Sequence, residues 1–111
     1  MMRTMLAAMA VFGLMTSAAG AQGAAHEQGK QVYAAQKCQV CHSIGGVGNK
    51  KGPLDEVGTK LSAGEIREWI VSAPEMTAKT KSTRKPLMKA YASLAKEDLD
   101  ALVAYLHSLK K

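Results

Sequence analysis

The chain has 111 residues, of which 47% are hydrophobic and 22% are charged, and its formal net charge is +6 at pH 7. This length is enough for one domain. The positive charge allows nucleic acid, anionic lipid or an acidic protein as a partner.

An export signal is predicted at the N-terminus, over Met1–Ala21. Arg3 supplies its positive charge, and Ala19-Gly20-Ala21 is a small-x-small cleavage site. The apolar run of residues 5–15 is shorter than the roughly 20 residues that span a bilayer, which disfavours a membrane anchor. We therefore expect a mature periplasmic domain of residues 22–111, without stable membrane insertion. Its 14 Lys and Arg against 9 Asp and Glu give a net charge of +5, and export argues against nucleic acid.

A first helix is predicted over residues 26–36. Gly29 and Tyr33 lie four positions apart and therefore share one face of it. A glycine inside a helix costs about 1 kcal/mol relative to alanine. We interpret Gly29 as a point where another helix approaches closely.

The segment Cys38-Gln39-Val40-Cys41-His42 has the spacing that attaches a c-type haem. Each thiol can add across one vinyl group of the haem, and two intervening residues span the edge of the macrocycle. His42 is then brought to the iron, for which imidazole is a good ligand. We therefore predict one covalent haem c held by Cys38, Cys41 and His42.

Two other uses of the thiols are less consistent with the sequence. A thiol redox site would need a strand–helix–strand context around Cys38, and none is evident. A zinc site would need two further ligands, and besides the motif the chain offers only His26 and His107. A mature chain with one Trp and three Tyr also has a thin core, which a buried macrocycle would complete.

A glycine-rich basic stretch, residues 44–52, follows the motif. It matches neither common phosphate-binding glycine pattern, so we interpret it as a loop that covers one side of a cofactor. The turn Gly52-Pro53-Leu54 ends it. There the Pro53 carbonyl could accept a hydrogen bond from a ring N–H of His42, which would fix the tautomer of the ligand.

A second helix is predicted from Ser62 as N-cap, with Glu65 completing a capping box. Pro74 should end it by about Ser72. Trp69 lies on its apolar face, where we expect core packing and, in addition, an indole N–H that reaches a haem propionate.

No helical period is evident over residues 75–95, and no carboxylate occurs between Met76 and Lys96. Such one-sided charge suits docking to an acidic redox partner, although a solvated surface is the plainer interpretation. The cations of this stretch that we expect to steer a partner are Lys79, Lys81, Lys85 and Lys89.

A last helix is predicted over residues 96–109, with apolar residues recurring at helical spacing. Ala95 occupies its N-cap position and cannot cap it. Three helices, no convincing strand and long loops predict a small all-α fold.

A second axial ligand would close the iron to oxygen and peroxide. Met88 follows Pro86 in an irregular segment, as suits a ligand on a wrapping loop, and we favour it over Met76. His107 and Lys85 are more distant alternatives.

The mature chain resembles the class I c-type cytochromes across nearly all of residues 22–111. The segments that carry the resemblance are Gly29 and Tyr33, Cys38–His42, Gly52-Pro53-Leu54, Trp69-Ile70, Pro86–Tyr91, Glu97-Asp98-Leu99 and Val103–Leu106. The resemblance implies a cytochrome c-like fold wrapped around one haem, and a crossing of the Gly29 helix with the last helix near Tyr105. It also implies proximal His42, distal Met88 and Pro53 as the acceptor for His42. Lys89 departs from the proline that many members have after the ligand, and Ala95 departs from their Ser or Thr cap.

The function expected from these features is that of a soluble, periplasmic, monohaem electron carrier, monomeric and not an enzyme. Its partners would be acidic redox proteins. The alternative is a haem peroxidase or a gas-binding haem sensor, either of which needs a labile sixth ligand.

Overall fold

The computed structural model describes residues 18–110, with side chains from residue 23 onward. The predicted signal lies outside these residues except for its last four positions. The described part contains five α-helices: α1 (Ala18–Ala35), α2 (Val57–Lys60), α3 (Ala63–Val71), α4 (Ala73–Thr80) and α5 (Lys96–His107). A 3-10 turn (Cys38–Val40) and the short strands β1 (Ser43–Ile44) and β2 (Val47–Gly48) lie between α1 and α2. No helix within residues 18–110 has the length and apolar character needed to cross a membrane.

Helices α1 and α5 cross at Gly29, as expected from the sequence. A Cβ atom at Gly29 would overlap the Ala101 carbonyl oxygen and Cβ of Tyr105. Helix α1 begins before the predicted residue 26, because the preceding stretch is rich in alanine, the strongest helix former. The core around the crossing joins α1, α3 and α5. Its buried members are Val32, Ile66, Ile70, Leu102, Val103, Tyr105 and Leu106.

The prediction of no strand was wrong for the glycine-rich stretch. Ser43 pairs with Gly48 and Ile44 with Val47 in an antiparallel hairpin. Gly45 and Gly46 both have positive φ, at 59° and 80°, which a two-residue turn of this kind requires. The remainder of the stretch is irregular, as expected of a covering loop.

The capping box of α3 is confirmed, since Ser62 Oγ accepts from the Glu65 amide at 3.1 Å and the Glu65 carboxylate accepts from the Ser62 amide at 3.1 Å. Helix α3 ends at Val71 with Ser72 as its C-cap, as predicted. The expectation of no helix over residues 75–95 was wrong for the first part of that stretch, which lies in α4. Pro74 lies in the first turn of α4, where its missing N–H has no intrahelical partner to lose. Residues 18–110 therefore contain two helices, α2 and α4, beyond the three predicted.

Helix α5 begins without a side-chain cap at Ala95, as predicted, and ends at His107 rather than at Leu109. The chain beyond it still packs on the fold, because the Gly58 amide donates to the Leu109 carbonyl at 2.8 Å. An ion pair of 2.6 Å between Arg67 and Asp100 joins α3 to α5.

Candidate functional site: a thiol–imidazole turn beside an apolar cavity

The two thiols and the imidazole of the motif are held together by one tight turn. Lys37 precedes it in the left-handed conformation, and the Cys38 carbonyl accepts from the amides of Cys41 and His42 at 3.2 and 2.9 Å. Both thiols are free and half-buried. Burial raises the pKa of the Cys38 thiol to about 11, so that sulfur is protonated at neutral pH.

The imidazole of His42 is oriented by a backbone carbonyl. Its Nδ1 lies 3.1 Å from the Gly52 carbonyl oxygen, and the same oxygen accepts from the Ser43 amide at 3.1 Å. The expected acceptor was the carbonyl of Pro53, so the assignment is corrected by one residue. Pro53 instead bridges to Ser43, and this pairing turns the Gly52 carbonyl toward the ring.

An apolar cavity of about 550 Å³ opens beside this turn. It is lined by residues from α1, α2, α3, α4 and α5 and from the irregular segment before α5. Its walls include Leu54, Val57, Leu61, Ile66, Ile70, Leu102 and Leu106, together with both cysteines and His42. The volume lies within the 300–1,000 Å³ typical of small-molecule and cofactor sites.

Some of the predicted site residues line this cavity and others lie outside it. Trp69 and Met88 line it, whereas Pro53 does not. Met76 is only 7% exposed and lies in the core on α4, outside the lining. Lys85 and His107, the other alternative ligands, also lie outside it.

Three further residues of the cavity wall were not identified from the sequence as part of a site. Tyr33 presents a buried hydroxyl with no hydrogen-bond partner among the described residues, and burial raises the pKa of this phenol to about 12. Tyr91 contributes a phenol whose hydroxyl lies 3.5 Å from the Gln36 carbonyl. The third is Arg84, which the sequence indicates only as one more cation in the stretch without carboxylates. No periodicity distinguishes these residues, because they converge from separate parts of the chain.

The charge closest to His42 comes from Arg84. Its Nη1 lies 3.5 Å from Nδ1 of the imidazole, and its Nη2 donates to the Cys41 carbonyl. Burial is the main cause that lowers the pKa of His42, the Gly52 hydrogen bond acts in the opposite direction, and Arg84 lowers it further. The ring is therefore kept neutral, which is the form that binds a metal ion.

The residues present fit a haem. The two free thiols flank one wall, a neutral imidazole with an oriented Nδ1 lies beside them, and a thioether lines the same apolar cavity. The unpartnered Tyr33 hydroxyl shows that this wall is suited to a polar atom from a bound group. Within residues 18–110, no group of three or more His, Cys, Asp or Glu is placed to hold a metal ion by itself.

The family described as Cytochrome c matches the chain over residues 26–110. Among curated proteins, the chain is 34% identical over 86 residues to cytochrome c oxidase subunit 2 of Alkalihalophilus pseudofirmus. The match covers 75% of this chain but 25% of the relative, so the chain spans about a quarter of that protein's length. No solved structure matches the chain significantly.

Proposed function

This chain belongs to the cytochrome c family, whose cofactor is a covalently attached c-type haem, and from that premise we propose that it is a soluble, periplasmic, monohaem electron carrier. His42 and Met88 would be its axial ligands. When bound, the haem iron supplies a one-electron couple between its ferric and ferrous states.

The observation that carries the proposal is the convergence of four sulfur and nitrogen donors on one cavity. Cys38 and Cys41 would each form a thioether to the haem, and the turn between them sets the separation of the two sulfurs. The Gly52 carbonyl holds the proton of His42 on Nδ1, which leaves Nε2 free to bind iron.

Met88 would complete the coordination from the segment that precedes α5. The amide of Tyr91 donates to the Ile70 carbonyl at 2.7 Å, and this bond fixes the Met88 segment against α3. A thioether ligand favours the reduced iron relative to a second imidazole. If His42 and Met88 both bind the iron, no coordination position is left for a substrate, so we propose electron transfer rather than catalysis.

The partners would be acidic redox proteins. Lys79, Lys81, Lys85 and Lys89 are all exposed, and they lie on the segment that contains Met88 or just before it. Opposite charge on a partner would accelerate encounter at this surface. Because the matched relative is a cytochrome c oxidase subunit, such an oxidase is a reasonable first partner to test.

The export proposal has its own measurement. The mass of the protein purified from periplasm should correspond to residues 22–111 plus one haem, and its elution on gel filtration should be that of a monomer. A mass that includes residues 1–21 would contradict removal of the signal.

The oxidised spectrum of the purified protein tests the function. We expect a low-spin ferric haem with the weak long-wavelength band of a methionine–iron bond, and no rapid binding of carbon monoxide after the haem is reduced. A high-spin spectrum with rapid carbon monoxide binding would instead support a peroxidase or gas sensor.

Replacement of Met88 by Ala should abolish the long-wavelength band. The matched control is Met76→Ala, which removes a buried core side chain and should cost about 2–5 kcal/mol of stability while leaving the band intact. Loss of the band in the Met76 variant alone would reverse the ligand assignment.

A further inference from the structure

Arg84 bridges two segments that are far apart in the sequence. It lies four residues before Met88, yet its guanidinium contacts the haem-attachment turn at the Cys41 carbonyl and at the His42 ring. Gly52 makes this position possible, because a Cβ atom there would overlap both terminal nitrogens of Arg84. The Cys41 carbonyl therefore holds the guanidinium beside the imidazole, and the missing side chain of Gly52 leaves room for it there.

The charge of this guanidinium is not neutralised by the surrounding protein. The ion pairs within the described residues are Arg67–Asp100 and Lys96–Asp100, and neither involves Arg84. No carboxylate occurs between Met76 and Lys96 in the sequence. Arg84 is also half-buried, so water screens its charge less than that of the exposed lysines nearby.

The contact between Arg84 and His42 is electrostatic rather than a hydrogen bond. A proton on Nδ1 donates to the Gly52 carbonyl, and Nδ1 then has no lone pair to accept from Arg84. The other tautomer would accept from Arg84 but would place the proton on Nε2, where it would block metal binding. The tautomer that can bind iron therefore faces an unneutralised positive charge.

We propose that Arg84 is a positioning residue that raises the reduction potential of the haem through His42. A positive charge beside the imidazole reduces the electron donation of the ligand and disfavours the more positive oxidised site. This inference rests on the proposed function, because it requires His42 as the proximal ligand.

The experiment compares the reduction potentials of wild type, R84Q, R84M and R84K in the haem-loaded protein. Loss of the charge in R84Q and R84M should lower the equilibrium constant for reduction about tenfold, which is 59 mV for one electron. R84K restores the charge and should restore most of the potential. The matched control is K30Q, which removes one exposed charge on α1 outside the cavity and should leave the equilibrium constant for reduction within about twofold of wild type.

Two results would overturn the proposal. One is a potential in R84Q or R84M that equals that of K30Q, and the other is a fall in R84K as large as in R84Q. If one neutral variant fails to hold haem, the other supplies the comparison with R84K. The methionine–iron band is recorded for every variant, so a missing band in wild type would refute the proposed ligation separately from the role of Arg84.

Discussion

Gly29 decides how closely α1 and α5 can approach. The atoms that a Cβ atom would overlap include the Ala101 carbonyl oxygen, which is main chain and cannot rotate away. Tyr33, one turn further along α1, packs edge-on against Tyr105 with ring centroids 6.3 Å apart. Because Tyr33 and Leu102 also line the cavity, the distance between these two helices sets the shape of the cofactor site.

Replacement of Gly29 by Ala should destabilise the haem-loaded protein by about 2 kcal/mol. Overpacking costs about 1–3 kcal/mol, and the overlap of a Cβ atom with the Ala101 carbonyl oxygen puts this site at the upper end of that range. Helix propensity returns up to about 1 kcal/mol of this cost. Chemical denaturation followed by haem absorbance measures the change. Gly64→Ala in α3 is the matched control, since its Cβ would meet only Ser62 Oγ at 3.9 Å, and it should be neutral or stabilising. Equal effects of the two substitutions would contradict a close crossing at Gly29.

At the scale of elements, α3 and α5 begin in opposite ways. Helix α3 starts with a complete capping box, which also lowers the pKa of Glu65 through the backbone and side-chain hydrogen bonds of Ser62. Helix α5 has Ala95 as its N-cap residue. The Ala95 carbonyl accepts from the Leu99 amide at 2.9 Å, but its methyl side chain cannot accept a hydrogen bond. The cap position of α5 therefore has the required extended backbone, with φ of −57° and ψ of 142°, and lacks only a hydroxyl.

Ala95→Ser should stabilise the protein by about 1 kcal/mol, because the new hydroxyl can accept from the Asp98 amide. In chemical denaturation, the midpoint should rise while the dependence of the unfolding free energy on denaturant concentration stays unchanged. Ala92→Ser is the control, since Ala92 is also exposed but lies outside any helix. A gain that is equal in both variants would indicate a general effect of serine rather than a cap.

At the scale of the whole molecule, two of the exposed cations near Met88 lie beside apolar groups. Lys89 lines the cavity, and Lys85 lines a smaller pocket together with Val40. Val40 and Leu87 are 64% and 53% exposed, and both also line the cavity. Lys89 extends over the Tyr91 ring at 5.2 Å, so its charge is held close to the cavity wall. A partner that docks here would meet apolar contact and positive charge together, which suits fast encounter and short residence.

Simultaneous replacement of the four exposed lysines within residues 79–89 by Gln should slow association with an acidic redox partner about tenfold or more at low ionic strength. The difference should shrink as salt is added, because exposed charges are screened. Stopped-flow electron transfer with the isolated partner measures both effects. The four residues to change are Lys79, Lys81, Lys85 and Lys89.

A second quadruple variant with the same net charge provides the control. It replaces four exposed lysines outside residues 79–89 by Gln and should slow association much less. An equal loss of rate in the two variants would show that net charge, rather than the lysines within residues 79–89, steers the partner. The control residues are Lys30, Lys60, Lys96 and Lys110.

Much of the fold and of the site could be predicted, for reasons that differ by element. The capping box at Ser62 and the missing cap at Ala95 are local, so the sequence indicates both directly. Helix α4 was not predicted, although the end of α3 was, because a proline can end one helix and also occupy the first turn of the next. The eight residues of α4 are too few for a clear helical period. The hairpin was missed because its strands have two residues each, too few for an alternating pattern.

The sequence by itself determined the chemistry of this protein: the thiol spacing, the adjacent imidazole and the candidate thioethers are all covalent properties of the chain. The tertiary structure decided which groups meet. It placed Met88 at the cavity and Met76 in the core, turned the Gly52 carbonyl rather than that of Pro53 toward His42, and brought Arg84 to the same ring. These outcomes depend on backbone direction and on the packing of segments distant in the chain, and residue identity and spacing specify neither.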